Sequence, residues 1–71
     1  MKIYTSKNCL NCIALKQILI KNNIKFEEID GTTTKSVAYL RARKSSLQLP
    51  IIEMNDGFFT FDQYMNKNQK Q

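Results

Sequence analysis

The residues of this 71-residue chain best equipped for chemistry are its two cysteines, Cys9 and Cys12, in the stretch Ser6-Lys7-Asn8-Cys9-Leu10-Asn11-Cys12. Thiols at this spacing can grip a soft metal ion or cycle between dithiol and disulfide. Cys9 follows a β-rich stretch, and Cys12 falls in the first turn of a helical pattern. Residues at i and i+3 of a helix share a face, so the two sulfurs can meet and bond. Cys9 lies where unpaired backbone N–H groups and the positive end of the helix dipole converge. That field favours thiolate over thiol and draws the pKa below the free value of about 8.5. Lys7 is a further positive charge close by. The thiolate is the form that attacks disulfides. Cys9 is therefore expected to be the nucleophile and Cys12 the resolving thiol, with Leu10 and Asn11 tuning the potential between them.

The elements that must position these sulfurs are legible on either side. Lys2–Thr5 carries β-branched and aromatic residues and reads as a first strand. Residues 12–23 read as a helix. Leu15, Ile18 and Leu19 recur at helical spacing, Ile13 and Ile20 widen the stripe, and Asn22-Asn23 suits the C-terminus. Residues 24–30 alternate Ile24, Phe26, Glu28 and Asp30, with Ile29 out of phase, and are expected to form a strand ended by Gly31. Residues 32–46 open with hydroxyl residues that can cap a helix. Val37, Ala38, Leu40 and Ala42 supply its thin apolar face, and Arg41, Arg43 and Lys44 load its last turn, where cations suit the dipole. A third strand runs from Pro50 to Met54. Asn55-Asp56-Gly57 is a hairpin turn, and residues 58–61 return. Residues 62–69 form a short last helix with Asp62 as its N-cap, and the polar tail, residues 66–71, is expected to fray.

The order is β-α-β-α-β-β-α. The first pair of strands flanks a helix and should be parallel with a right-handed crossover, and the last pair is an antiparallel hairpin. An α/β fold follows, a four-stranded mixed sheet with helices on both faces.

Composition narrows the setting. An apolar content of 42% with only 2 Gly and 1 Pro is that of a folded chain, and the length allows one domain, residues 1–71. A chain this short buries only about 60% of its unfolded surface, so its core is small. No apolar run approaches the roughly 18 residues of a membrane span, and the first residues lack the long apolar stretch of a signal peptide. A cytoplasmic protein with no membrane partner is expected. There a close cysteine pair is catalytic or metal-binding more often than structural. The net charge of +5 favours acidic partners in general. No nucleic-acid motif accompanies it, so no nucleic acid is expected as partner.

Metal binding is the competing use of the sulfurs. With no histidine and two cysteines, one chain cannot supply the usual closed zinc site, although two chains could share one. A Cu(I)-carrying metallochaperone is the other alternative, because soft thiolates suit Cu(I). Such domains run β-α-β-β-α-β, which would put two strands where Thr34 to Lys44 reads as helix.

Pro50 opens its strand, where the missing N–H is tolerated. The functional reading is a cis peptide after Leu49, an arrangement usually found at a deliberate turn. Strand, C-x-x-C, helix, then an apolar-Pro pair opening a hairpin resembles the thioredoxin superfamily. At this length the chain looks like a glutaredoxin, or like the small glutaredoxin-like (NrdH-type) redoxins that reduce ribonucleotide reductase. The stretches from Ile3 to Cys12 and from Gln48 to Ile52 carry the resemblance, which covers nearly the whole chain. It implies a thioredoxin fold in which Tyr4 and Thr5 lead into the site. It also implies that Leu49 gives its backbone to an extended substrate, while Pro50 shapes the loop. Relatives carry Lys three residues before the first Cys, where this chain has Ser6, with Lys7 next. Glutathione-binding members carry Gly-Gly and an acidic residue after the hairpin. Here the run is Gly57 to Tyr64 without Gly-Gly, and Asp62 stands for the acidic group. Phe59-Thr60-Phe61 is similar to the corresponding run of redoxins reduced by thioredoxin reductase.

Substrate-binding candidates are thus Leu49, Pro50, Thr60 and Asp62. Arg41 and Arg43 are first a solvated helix end, and alternatively an anion site for a glutathione carboxylate or an acidic protein tail. The expectation is a monomeric dithiol thiol–disulfide oxidoreductase with no bound cofactor or metal and a redox-active Cys9–Cys12 disulfide. Its substrate would be a disulfide-containing protein such as ribonucleotide reductase, and its reductant glutathione or thioredoxin reductase.

Overall fold

The computed structural model describes residues 1–43 and 48–68. Among these the elements run β1 (Lys2–Thr5), α1 (Leu10–Lys21), β2 (Glu27–Asp30), α2 (Thr34–Ala42), β3 (Ile51–Met54), β4 (Gly57–Thr60) and α3 (Phe61–Asn68). The strands form a four-stranded sheet in the order β2-β1-β3-β4. β1 pairs parallel with β2 and antiparallel with β3, and β3 pairs antiparallel with β4. This is the expected mixed sheet, with a helix at residues 34–42 where a β-α-β-β-α-β domain would need strand.

Alternation along the strands splits the core in two. Ile3 and Ile52 face each other across β1 and β3 and pack with Leu15 and Leu19 of α1 and Tyr64 of α3. Their neighbours Tyr4 and Ile51 point to the other face and pack with Leu40 of α2. Period-two alternation is what puts adjacent residues on opposite faces. Helices therefore cover both sides, with α1 and α3 on one and α2 on the other.

The helix ends are set by local chemistry. Asn23 sits at φ 59°, the left-handed region that Asn tolerates. The Ile24 N–H donates to the Leu19 carbonyl at 2.9 Å and the Asn23 N–H to that of Ile20 at 3.1 Å, closing α1 with a Schellman motif. That closure shortens the second strand. Residues 24–26 were expected in it, but the Ile24 N–H is already used by the helix, and Ile24 and Phe26 instead cover the α1/α3 core. Thr33 caps α2, accepting the Ser36 N–H at 3.1 Å. The helix ends at Ala42, and Lys44 to Leu47 lie outside the described residues. Met54 pairs with Gly57, so Asn55-Asp56 makes the hairpin turn and Gly57 (φ 140°) supplies the positive φ from the first position of β4.

Two further expectations are corrected. Ile13 and Ile20 do not widen the buried stripe, being 45% and 65% exposed. At about 100° per residue they fall more than a quarter-turn from the seam of Cys12, Leu15 and Leu19. α3 starts at Phe61, and its cap is Thr60 rather than Asp62. The Gln63 N–H donates to Thr60 Oγ1 at 3.2 Å and the Thr60 N–H to Gln63 Oε1 at 2.9 Å, a reciprocal capping box. Residues 66–68 belong to this helix, as the reading of 62–69 as helix expected, while residues 69–71 lie outside the described ones.

On the α1 side, Glu28 ties β2 to its neighbours. Thr5 Oγ1 donates to it at 2.7 Å and Lys16 Nζ at 3.0 Å, and these bonds hold its carboxyl below the ordinary 4.5. A depressed folded-state pKa contributes stability above the unfolded pKa, and that stability is lost as the pH falls through the folded one. Glu28→Gln should thus be less stable than wild type at neutral pH, with the gap closing as the pH drops below 4.5. Both partners are substantially exposed, so the gap should stay under about 1 kcal/mol. Urea titrations over a pH series check this, and a gap that persists or widens in acid would count against it.

Candidate active site

The N-terminus of α1 brings the sulfurs together. Cys9 is the N-cap, so Leu10 and Asn11 already belong to the helix, which starts two residues earlier than expected from the apolar pattern. Cys9 and Cys12 form a disulfide with their Cα atoms 5.1 Å apart. Cys9 Sγ accepts the backbone N–H of Cys12 at 3.0 Å. With no acidic residue in the first turn, nothing there offsets the positive end of the helix dipole. An anion at Cys9 Sγ would be stabilised by both the N–H and the dipole. The sulfurs differ in access. Cys9 is half-buried, whereas Cys12 is 1% exposed. Leu10, next to Cys9, is 83% exposed.

The loop before β3 meets this helix end. The Leu49-Pro50 peptide is cis, as the functional reading of Pro50 required. Pro50 is buried, and the Leu49 carbonyl oxygen lies 4.0 Å from Cys9 Sγ. A small cleft beside them is lined by Asn11, Gln48, Leu49, Thr60, Phe61 and Asp62. The structure thus gathers Asn11, Leu49, Thr60 and Asp62 from three separate parts of the chain. Gln48 and Phe61 line the same cleft and were not anticipated. Gln63, also missed, was readable from the T-x-x-Q spacing that announces a capping box.

The other candidates lie elsewhere. Lys7 lines a larger cleft of about 380 Å³ with Thr5, Ser6, Ile13, Lys16, Glu28 and Asp30. Asp30 Oδ1 accepts from the Thr32 hydroxyl (2.6 Å) and N–H (2.9 Å). These bonds hold its carboxyl below its ordinary value, and the charge of Lys7 adds to them. The positive charge of Lys7 therefore faces a carboxylate as well as the helix end. Arg41 is exposed on α2, and Arg43, just beyond it, stacks its guanidinium over the Tyr39 ring at 3.9 Å. Neither lines the cleft beside the disulfide.

Among the described residues no group of three or more His, Cys, Asp or Glu could hold a metal ion. No helix there is long and apolar enough to cross a membrane. An N-cap sulfur disulfide-bonded to a buried partner, with the Leu49 carbonyl alongside, is arranged for thiol–disulfide exchange. Comparison with curated proteins and with solved structures returned no match. The family model for glutaredoxin matches residues 1–59. On that match and this site, the chain belongs to the glutaredoxin family and is a thiol–disulfide oxidoreductase.

Proposed function

We propose that the protein is a dithiol electron carrier in which Cys9 attacks a substrate disulfide and Cys12 resolves the intermediate. The observation that carries this reading is the unequal access of the sulfurs, with Cys9 reachable at a helix cap and Cys12 only 1% exposed behind it. The Cys9 thiolate attacks one sulfur of a substrate RS–SR′, forming Cys9–S–SR and releasing R′S⁻. Cys12 then loses its proton and attacks Cys9 Sγ. RS⁻ leaves, and the Cys9–Cys12 disulfide forms. The electron pair of the dithiol passes to the substrate, whose released thiolates take up protons.

The half-buried Leu49 beside Cys9 supports a protein substrate, because an extended segment could pair with that backbone. Asn11, Thr60 and Asp62 would line its path. A disulfide-forming reductive enzyme such as ribonucleotide reductase is the substrate class we infer. Glutathione or thioredoxin reductase would return the pair to the dithiol, in the cytoplasm, where such reductants keep thiols reduced.

Cys12→Ser tests the assignment. Without a resolving thiol, the mixed disulfide should accumulate to nearly one equivalent on mixing with a protein disulfide. Peptide mass mapping should locate it on Cys9. A mixed disulfide carried elsewhere, or resolved at the wild-type rate, would sink the assignment. Supplying glutathione with its reductase, or thioredoxin reductase, in parallel identifies the donor.

A further inference from the structure

The residue that seats Leu49 is a glycine far from both cysteines in sequence. Gly31 follows β2, at the same end of the sheet as Cys9. It is buried, and its N–H donates to the Thr5 carbonyl at 2.8 Å, which pins it beside the end of β1. It does not have a positive φ, so its backbone conformation does not demand glycine. Space does. A Cβ at Gly31 would come within 2.8 Å of Leu49 Cδ2, 3.2 Å of Leu49 Cδ1 and 3.2 Å of Tyr4 Cβ.

Of these neighbours only Leu49 can yield. Tyr4 belongs to a paired central strand. Its hydroxyl donates to Glu53 Oε1 at 2.8 Å, and its ring stacks on Tyr39 at 6.0 Å. The Leu49 side chain packs on the cluster of Tyr4, Leu40 and Ile51, while its carbonyl oxygen lies 4.0 Å from Cys9 Sγ. The contacts fall on the tips of the Leu49 side chain and the facing carbonyl is on the Leu49 backbone, so one residue links the seat beside Gly31 to the sulfur.

We infer that Gly31 is a positioning residue for the exchange reaction: its missing Cβ opens the seat for the Leu49 side chain and so holds the Leu49 carbonyl against Cys9. The inference rests on the reading of Cys9 as the attacking sulfur and of Leu49 as the substrate-facing edge. It also has an electrostatic consequence. In the reduced protein the Leu49 oxygen is within reach of the Cys9 S–H and presents the negative end of its dipole to a thiolate. Both effects favour the thiol form. Moving the carbonyl away should lower the pKa of Cys9 while spoiling the edge that aligns the substrate.

The experiment compares Gly31→Ala, Leu49→Ala and the double variant, with urea midpoints recorded for each. Gly31→Ala should stay folded, because the softest neighbour absorbs the added methyl. Its kcat/KM for a peptide disulfide should fall about tenfold through misalignment. The pH midpoint for alkylation of Cys9, read in a Cys12→Ser background, should move down by about half a unit. A structural weakening alone would not move that midpoint downwards. Leu49→Ala removes the two Leu49 atoms the new methyl would strike and leaves only the Tyr4 Cβ at 3.2 Å, so adding Gly31→Ala to it should cost less than about twofold. An equal loss from Gly31→Ala in both backgrounds, or an unshifted alkylation profile, overturns the proposal. Should Gly31→Ala prove too unstable alone, Leu49→Ala decides: emptying the seat should also move the Cys9 alkylation midpoint down, and an unmoved midpoint overturns the proposal. Retention of turnover by Cys9→Ser would sink the underlying Cys9 reading instead, whatever the Gly31 variants do.

Discussion

Cys9→Ser is expected to lower disulfide reduction by at least about a thousand-fold while leaving the fold intact. The hydroxyl that replaces the thiol stays protonated at neutral pH and is a poor nucleophile towards sulfur. The surviving thiol, Cys12, is 1% exposed and faces the protein interior, so it cannot take over the attack. The N-cap is preserved, because a serine oxygen can accept the Cys12 N–H that the sulfur accepts now. Circular dichroism, and the urea midpoint relative to the reduced wild type, should therefore change little. Turnover with a protein disulfide and a regenerating reductant is the measurement. Residual activity within tenfold of wild type would mean that Cys9 is not the entry point for electrons. The pairing with Cys12→Ser is diagnostic, since one variant should be unreactive and the other should react once and stop.

Leu15→Ala should have the largest effect on stability. Leu15 is fully buried on α1, one turn after Cys12, among Ile3, Leu19, Ile52 and Tyr64. Emptying such a site costs about 2–5 kcal/mol, the transfer of the lost methyls plus the cavity left behind. A 71-residue domain has roughly 4–11 kcal/mol in total at typical per-residue stability. The variant should thus lose a large part of its urea midpoint and be partly unfolded at physiological temperature. Ile13→Ala, on the same helix but 45% exposed, should lose far less and serves as the matched control. Equal losses at the two positions would contradict the helix orientation described above. Because α1 carries both cysteines, loosening its seat should also reduce activity before global unfolding is complete.

Much of this architecture was legible because it is local. Asn22-Asn23 ends a helix since Asn tolerates the left-handed conformation, and Asn23 does adopt it. Thr33 and the turn before Gly57 follow the same short-range chemistry. The helix faces were harder. Ile13, Ile18 and Ile20 are equally apolar in the sequence. Which of them meets the sheet depends on how the helix is rotated against β1 and β3, and periodicity over so short a helix leaves that open. The start of β2 was misjudged for a related reason, because Ile24 and Phe26 fit a strand pattern yet serve the helix cap and the core. At the site, Cys9 and Cys12 were found from their spacing. Leu49, Thr60 and Asp62 were reached through the family resemblance, and no local rule joins them to Cys9.

The sequence by itself determined the chemistry available: two sulfurs at i and i+3 on a strand-to-helix junction, no histidine, and a single proline opening a strand. It also determined the order of the elements, through caps, turns and apolar periods that act over a few residues. Only the tertiary structure decided that the Leu49 carbonyl sits 4.0 Å from Cys9, that Lys7 shares its cleft with Asp30, and that Gly31 lies against Leu49 and Tyr4. These are contacts across the sheet and between its ends, with Leu49 forty positions from Cys9. They arise when helices are docked and strands registered, so they depend on the sum of many packing energies and not on any short stretch of chain.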